Sequence, residues 1–320
     1  MSLLVCPGCR TRSEGRLDLR TIERAGELYV CECGRRYPIV DGIPIVLPDP
    51  SAYFRTEIAA LVERDLPVEV SEVIVEYGPD DAPYPRLLEH LSIYLDAHWG
   101  DRAEPQVDFA AEALVGKLAE RSGERVKLAV ELGCSVGRMA HTLAAGADEV
   151  VALDLHFGAL RRAKALLAGE TVRYARRMAG RHYAPATARG VRAANVKLVC
   201  GDALDPPLVP GEYDRVVALN LLDSVARPTR LLSVLDALCA PGGELILASP
   251  YAWQSTVVHE EDRLGHHDPA AHVGAILREG TGLGATYDLL DEAELGWTLR
   301  RDARSEVRYR THYLRARKSA

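Results

Sequence analysis

The chain has 320 residues, 48% of them apolar and 27% charged, with a formal net charge of −7. This is the balance of an ordinary globular protein with room for one large domain and a small one. It argues against a surface that grips nucleic acid throughout, and no run approaches the roughly 18 apolar residues of a membrane helix. The opening MSLLVCPGCR has neither a basic leader nor a long apolar one, so a cytoplasmic setting is expected.

Seven cysteines without an export signal argue against a disulfide framework. Four of them cluster, as CPGC at 6–9 and CEC at 31–33. Two close thiolate pairs about twenty residues apart suit a tetrahedral zinc site held by Cys6, Cys9, Cys31 and Cys33; four reduced free thiols are the alternative. So short a segment buries little apolar surface, and a structural metal would offset that deficit. The cysteines lead into YPIVDGIPIVL at 37–47. With that block, residues 3–48 resemble the small zinc-ribbon domain of methyltransferase-activator proteins, also found at the front of some bacterial methyltransferases. One departure is that only Glu32 separates Cys31 from Cys33, where two residues are usual; this puts the role of Cys31 in question.

From about residue 49 the chain reads as a linker running into a helix. Prolines at 79, 83 and 85 mark a loop around GPDDAPYP. Leu87, Leu88, Leu91, Tyr94 and Leu95 then recur at helical spacing up to Gly100. Residues 50–125 are read as a helical connector or cap, acidic over 56–104, between a domain at 1–49 and one at 126–320.

Beyond residue 125 short apolar runs alternate with helical patterns. VKLAVEL, EVVALDL, VKLVCGDA, YDRVVALN and ELILASP predict strands; RMAHTLAAGA, ALRRAKALLAG and PTRLLSVLDALCA predict helices. That alternation calls for a parallel sheet covered on both faces, with ligands outside the carboxyl ends of its strands. Residues 130–137, VELGCSVG, fall at such an end, where Gly133 and Gly137 would let a ligand approach the main chain. Asp154, one strand later, can accept the hydroxyls of a ribose or simply cap a helix. Asp202, ending the third strand, suits the exocyclic amine of an adenine. Arginines at 173, 176, 177, 181, 189 and 192, with no acid over 171–195, read as a solvated basic loop, or else as an anion-binding flap.

The acidic glycine loop, Asp154, Asp202 and the APGGELIL turn at 240–247 together resemble the class I S-adenosylmethionine-dependent methyltransferases. The resemblance implies a Rossmann-like α/β fold. It also implies a cofactor site of Glu131, Gly133, Cys134 and Gly137, of Asp154 with Leu155, of Asp202 with Ala203, and of Asn220. In this family the acid ahead of the first glycine stands near the cofactor's cationic amino-acid end. Ser135 stands where many members have a further glycine. Finer blocks, YLDAHWG, ALNLLDSV, SPYAW and LGWTLRRDARSEVRYR, resemble the methyltransferase domain that ends the ovothiol-biosynthesis enzymes, over roughly residues 90–318. That likeness implies methylation of an imidazole nitrogen.

Candidate acceptor-side groups are Asn220 and Asp223 after the fourth strand and Tyr251 and Trp253 after the fifth. Tyr94 and His98, one helical turn apart, complete the set. Capping, core packing and an ordinary helix face are the respective alternatives. Asp223 or His98 could serve as a base for an acceptor that needs one. His259, His266 and His267 lack fixed ligand spacing, and Cys134, Cys200 and Cys239 read as small buried residues. Arg300, Arg301 and Arg304 could pair with the carboxylate of an amino-acid-like substrate. The leading expectation is a methyltransferase acting on a small molecule or peptide side chain, whose ribbon offers a surface for a protein partner. The acidic balance opposes the second class, an RNA methyltransferase steered by the ribbon and the 171–195 arginines. The third class is a silent cofactor-binding module.

Overall fold

The computed structural model describes residues 4–13, 16–62, 66–77, 83–100 and 125–319. The amino-terminal part begins with the hairpin β1 (Thr11–Ser13) and β2 (Arg16–Asp18). An antiparallel sheet follows, of β3 (Glu23–Ala25), β4 (Leu28–Val30), β5 (Arg36–Val40) and β6 (Ile43–Pro44) in that order. Asp41 and Gly42 join β5 to β6 with φ of 50° and 71°, the Asp-Gly pairing that a two-residue hairpin turn favours.

Three helices come next: α1 (Pro50–Val62), α2 (Val68–Tyr77) and α3 (Pro83–Trp99). Asp49 Oδ1 accepts from Ala52 N at 3.0 Å and caps α1, whose first residue is the proline that needs no N–H. Pro83 and Pro85 belong to the first turn of α3 rather than to the expected loop, because a proline in the first turn removes no helical hydrogen bond. Residues 78–82 of that expected loop, and 101–124 of the expected connector, lie outside the described residues. Leu91, Leu95 and Trp99 form the buried stripe of α3, packed on Val136, Leu166 and Tyr174.

The main sheet has seven strands. They are β7 (Val126–Leu132), β8 (Ala147–Asp154), β11 (Val196–Cys200), β12 (Tyr213–Leu219), β13 (Cys239–Ser249), β14 (Tyr287–Arg300) and β15 (Glu306–Lys318). Their order is β11-β8-β7-β12-β13-β15-β14; the first five are mutually parallel, β15 runs antiparallel to them, and β14, antiparallel to β15, runs with the first five again. The expected helices appear as α4 (Arg138–Gly146), α5 (Phe157–Leu167) and α6 (Pro228–Leu238), and α7 (Pro269–Glu279) precedes the last hairpin. The chain runs outward from β7 to β11 and then returns to β12, so the strand order reverses between β7 and β12. That is where an open α/β sheet leaves a crevice. This is the class I methyltransferase fold expected of the sequence, preceded by a Cys-rich, ribbon-like region.

The amino-terminal region attaches to the sheet edge. Ile45 bridges Cys200 in parallel, Val46 N donates to Cys200 O at 2.9 Å, and Leu4 bridges Leu208. Val46, Tyr37 and Ile22 share a hydrophobic core with Val151 and Val199.

The 171–195 stretch differs from expectation. It forms an antiparallel hairpin, β9 (Thr171–Ala179) and β10 (His182–Arg189), packed on α2 and α3. Arg176 pairs with Asp96 at 2.5 Å and Arg177 with Glu89 at 2.8 Å. Arg181 Nη1 donates to the Val75 and Glu76 carbonyls. The acidic helices absorb these three arginines, so they make neither a solvated loop nor an anion flap; Arg173, Arg189 and Arg192 stay exposed. Arg301, expected to meet substrate, also pairs with Glu89, at 3.2 Å.

On the sheet, Glu244 of β13 receives Arg215 at 3.3 Å, Arg315 at 2.6 Å and Arg317 at 3.1 Å. Arg215 is 1% exposed. Burial alone would raise the Glu244 carboxyl, but the Arg315 and Arg317 hydrogen bonds and the Arg215 charge hold it below its ordinary range. Glu244→Ala leaves a buried guanidinium without its acid and should cost about 3–5 kcal/mol in chemical denaturation. A carboxyl depressed on folding contributes fully above its unfolded pKa of about 4.3, and that contribution fades as pH falls through the folded value. The gap between parent and variant should therefore close in acid.

Candidate functional site

Two knuckles bring the amino-terminal cysteines together. Pro7–Cys9 forms a tight turn in which Cys9 N donates to Cys6 O at 3.2 Å. Gly34, at φ 86°, lets the second turn close from its own N to Cys31 O at 2.9 Å. All four Sγ atoms lie within 4.8 Å of one another, with Cys6 to Cys33 at 3.9 Å and Cys9 to Cys31 at 3.7 Å. Sulfurs around a tetrahedral zinc, at about 2.3 Å each, stand about 3.8 Å apart. The donor set fits such an ion, and the single-residue spacer brings Cys31 into it.

The second site lies at the carboxyl ends of β7, β8 and β12. Gly133 and Gly137 take φ of 80° and 77°, and Ser135 between them takes 46°. A side chain is strained in that region, yet Ser135 is held by its own N donating to Asp154 Oδ2 at 2.7 Å. Gly133 N and Cys134 N both donate to Leu153 O, at 2.8 and 3.1 Å. A Cβ on Gly137 would meet Ala163 of α5 at 3.0 Å, so that glycine serves helix packing. Asp154 Oδ1 accepts from His156 N at 2.8 Å.

Helix α3 covers this turn. Trp99 Nε1 donates to Val136 O at 2.9 Å, and the Arg138 guanidinium lies 5.0 Å from the Trp99 ring centre. The same helix turns His90, Tyr94 and His98 into the cleft, with Trp297 of β14 also on its wall. The His90 ring lies 4.6 Å from Tyr94 and 4.9 Å from His156, whose Nδ1 accepts from Ala159 N.

The cleft is acidic. Burial, then the Asp154 charge, pushes the Glu131 carboxyl up to about 8. Burial also raises Asp154, against the His156 and Ser135 N–H groups that favour its charge. His90 is pushed down to about 4 by burial and by His156. Among the described residues, Glu131 Oε2, Ser135 Oγ, Asn220 Oδ1 and Trp297 Nε1 are buried without a hydrogen-bond partner, and all four residues line this cleft. Buried polar atoms rarely go unpaired. Four on one cleft wall suit polar ligands, and a carboxyl beside a glycine turn suits S-adenosylmethionine's amino-acid end.

Of the residues singled out from the sequence, Tyr94, His98, Glu131, Gly133, Cys134, Asp154 and Asn220 line the cleft. Gly137, Leu155, Asp202, Ala203, Asp223, Tyr251 and Trp253 stand outside its wall. Asp202 Oδ1 accepts from Leu204 N at 2.8 Å, and Leu155 is exposed. Asp223 Oδ2 accepts from Ala252 N at 2.8 Å, and Tyr251 OH meets His312 Nδ1 at 2.9 Å. His259, His266 and His267 are exposed, and Cys200 and Cys239 are buried. The sequence reading missed His90, Arg138, His156 and Trp297. His90 was within reach, one turn before Tyr94 on the same helical face. Arg138 directly follows the glycine turn.

Residues 130–247 match the family described as "Methyltransferase domain", and residues 1–42 match the family described as "Trm112p-like protein". No curated protein matches the chain. Among solved structures it is similar to the magnesium protoporphyrin IX methyltransferase of Synechocystis PCC 6803, at 16% identity and TM-score 0.45. That alignment covers 81% of this chain and 100% of the other. The N-methyltransferase NodS of Bradyrhizobium japonicum WM9 is similar at 13% identity and TM-score 0.44, over 76% of this chain and 100% of that one. By these matches the chain carries a methyltransferase domain over residues 130–247, on the class I methyltransferase fold, behind a Trm112p-like amino-terminal region.

Proposed function

We propose that the chain methylates a nitrogen of a small molecule or peptide side chain, an imidazole or another amino-acid-like group. The ovothiol-type blocks motivate the acceptor, and the unpaired Glu131 oxygen in a cleft beside Gly133 and Asp154 carries the cofactor assignment. When bound, S-adenosylmethionine supplies a methyl carbon on a cationic sulfur; an acceptor lone pair takes that carbon as the sulfur regains its bonding pair. The chain aligns the two partners and removes water. Glu131, Gly133 and Cys134 face the amino-acid end, with Gly137 closing the turn behind them. Asp154 with Leu155 serves the ribose, Asp202 with Ala203 the adenine, and Asn220 the junction with the acceptor. Asp223, Tyr251 and Trp253 shape the acceptor loops from outside the cleft wall. Residues 1–49, with a structural zinc on Cys6, Cys9, Cys31 and Cys33, and the connector 50–125 act as scaffolding for 126–320.

The RNA reading loses its main support, because Arg176, Arg177 and Arg181 are engaged by the protein's own acids and carbonyls. A silent cofactor-binding module would keep the same cleft, so turnover of labelled S-adenosylmethionine, rather than binding, separates it from an enzyme.

Protein prepared without chelator should carry about one zinc per chain, and Cys9→Ser should remove it. Elemental analysis that finds no zinc in the parent overturns the site. Asp154→Ala should weaken S-adenosylhomocysteine about tenfold to a hundredfold, the effect of losing hydrogen bonds to a charged acceptor worth roughly 1.5–3 kcal/mol. Calorimetry giving equal affinities would remove Asp154 from the ribose.

Proton release tests Glu131. With a pKa near 8 its carboxyl is mostly protonated at neutral pH. A ligand ammonium beside it favours the charged form, so binding should expel about one proton. Binding enthalpies at pH 7 should then differ between phosphate and Tris buffers, and Glu131→Gln should abolish the difference.

A further inference from the structure

Two groups of side chains of different chemistry line the cleft. The glycine turn, Glu131, Asp154 and His156 make one. The other is made by Tyr94 of α3, Asn220 and Ser224 after β12, Gln254 after β13, and Trp297 of β14. Among the described residues of the cleft wall the only arginine or lysine is Arg138, which belongs to the glycine turn and lies over the Trp99 ring. Arg301, which could have met a carboxylate, is on Glu89. Trp297, on the cleft wall, is 4% exposed, and its buried indole N–H has no acceptor among the described residues. Its ring packs 5.3 Å from Tyr309 on the neighbouring strand, which fixes its orientation.

We infer that Trp297 and Tyr94 are specificity-determining residues for a flat, uncharged nitrogen acceptor. Their rings contact its face, and the Trp297 N–H donates to a lone pair on its edge; this deepens the methyl-transfer reading and rests on it. Ring faces and nearby carboxylates suit an acceptor that becomes cationic on methylation. The same surroundings disfavour an anion, whose desolvated charge would find no guanidinium or ammonium among Tyr94, Asn220, Ser224, Gln254 and Trp297. A free α-carboxylate is therefore tolerated at most and never required.

The test is calorimetry on the full chain saturated with S-adenosylhomocysteine, titrated with L-histidine and with L-histidinol, which keeps the imidazole and lacks the carboxylate. Histidinol should bind at least as tightly as histidine. Trp297→Phe keeps a ring without the N–H and should weaken histidinol about fivefold to tenfold, the loss of one buried hydrogen bond. Trp297→Leu should weaken it further. Both variants should hold S-adenosylhomocysteine within about twofold of the parent, which also certifies their fold. The inference is overturned if histidine binds tenfold tighter than histidinol. It is overturned equally if neither ligand binds the loaded parent, or if Trp297→Phe and Trp297→Leu bind histidinol as the parent does. Failure of the parent to hold S-adenosylhomocysteine would instead overturn the methyl-transfer reading beneath it.

Discussion

The turn between β7 and α4 passes three times through left-handed backbone in five residues, at Gly133, Ser135 and Gly137. Each such residue costs conformational energy, and only the two glycines escape a side-chain penalty. The turn persists because its neighbours hold it in place. Leu153 O takes two of its N–H groups, Asp154 takes the third, and Trp99 reaches Val136 O from the covering helix. Asp154 therefore works on both sides of the cleft floor. Its carboxyl fixes Ser135 and His156, and Asp154 itself lines the cleft.

Much of this could be read in the sequence where a residue's neighbours along the chain decide its surroundings. The five parallel strands are continuous apolar runs, and Glu131 and Asp154, at the ends of two of them, line the cleft. Where long-range packing decides, the reading went astray. Val172 and Tyr174 alternate with Arg173 and Ala175 as a strand would, but the arginines suggested a loop because their partners, Glu89 and Asp96, lie far away in sequence. Trp297 sits in another alternating strand, and nothing local tells which face of β14 meets the cleft. Proximity to a strand end also singled out Asp223 and Tyr251, which stand outside the cleft wall: Asp223 Oδ2 accepts from Ala252 N while its Oδ1 is buried without a partner among the described residues, and Tyr251 OH meets His312 Nδ1.

The same strand end joins the two cores. Cys200 closes β11 beside Asp154 in register, while its carbonyl accepts Val46 N from the amino-terminal region. Tyr53 of α1 adds a bond from its hydroxyl to Leu155 O, at 2.9 Å. An edge strand presents unpaired backbone groups, and here the chain covers part of that edge with its own segment 45–46. The ribbon-like region is thereby packed two residues from Asp202, against the loop that runs on to Leu208. Disturbing the cysteine cluster would be felt first along that loop, which lies outside the cleft wall.

Charge is distributed with the same economy. The chain's arginines close contacts within the fold: Arg176, Arg177 and Arg301 bind α3 to two hairpins, and Arg215, Arg315 and Arg317 surround Glu244. Acids are left facing the cleft, and burial raises the pKa of Glu131 and Asp154 there. Two buried carboxyls are tolerable without ligand only if protons neutralise them in part. A cationic ligand removes that need by supplying the positive charge itself. The arginine pairing fastens α3 over the cleft, and Arg138 is left as the only arginine or lysine among the described residues of the cleft wall.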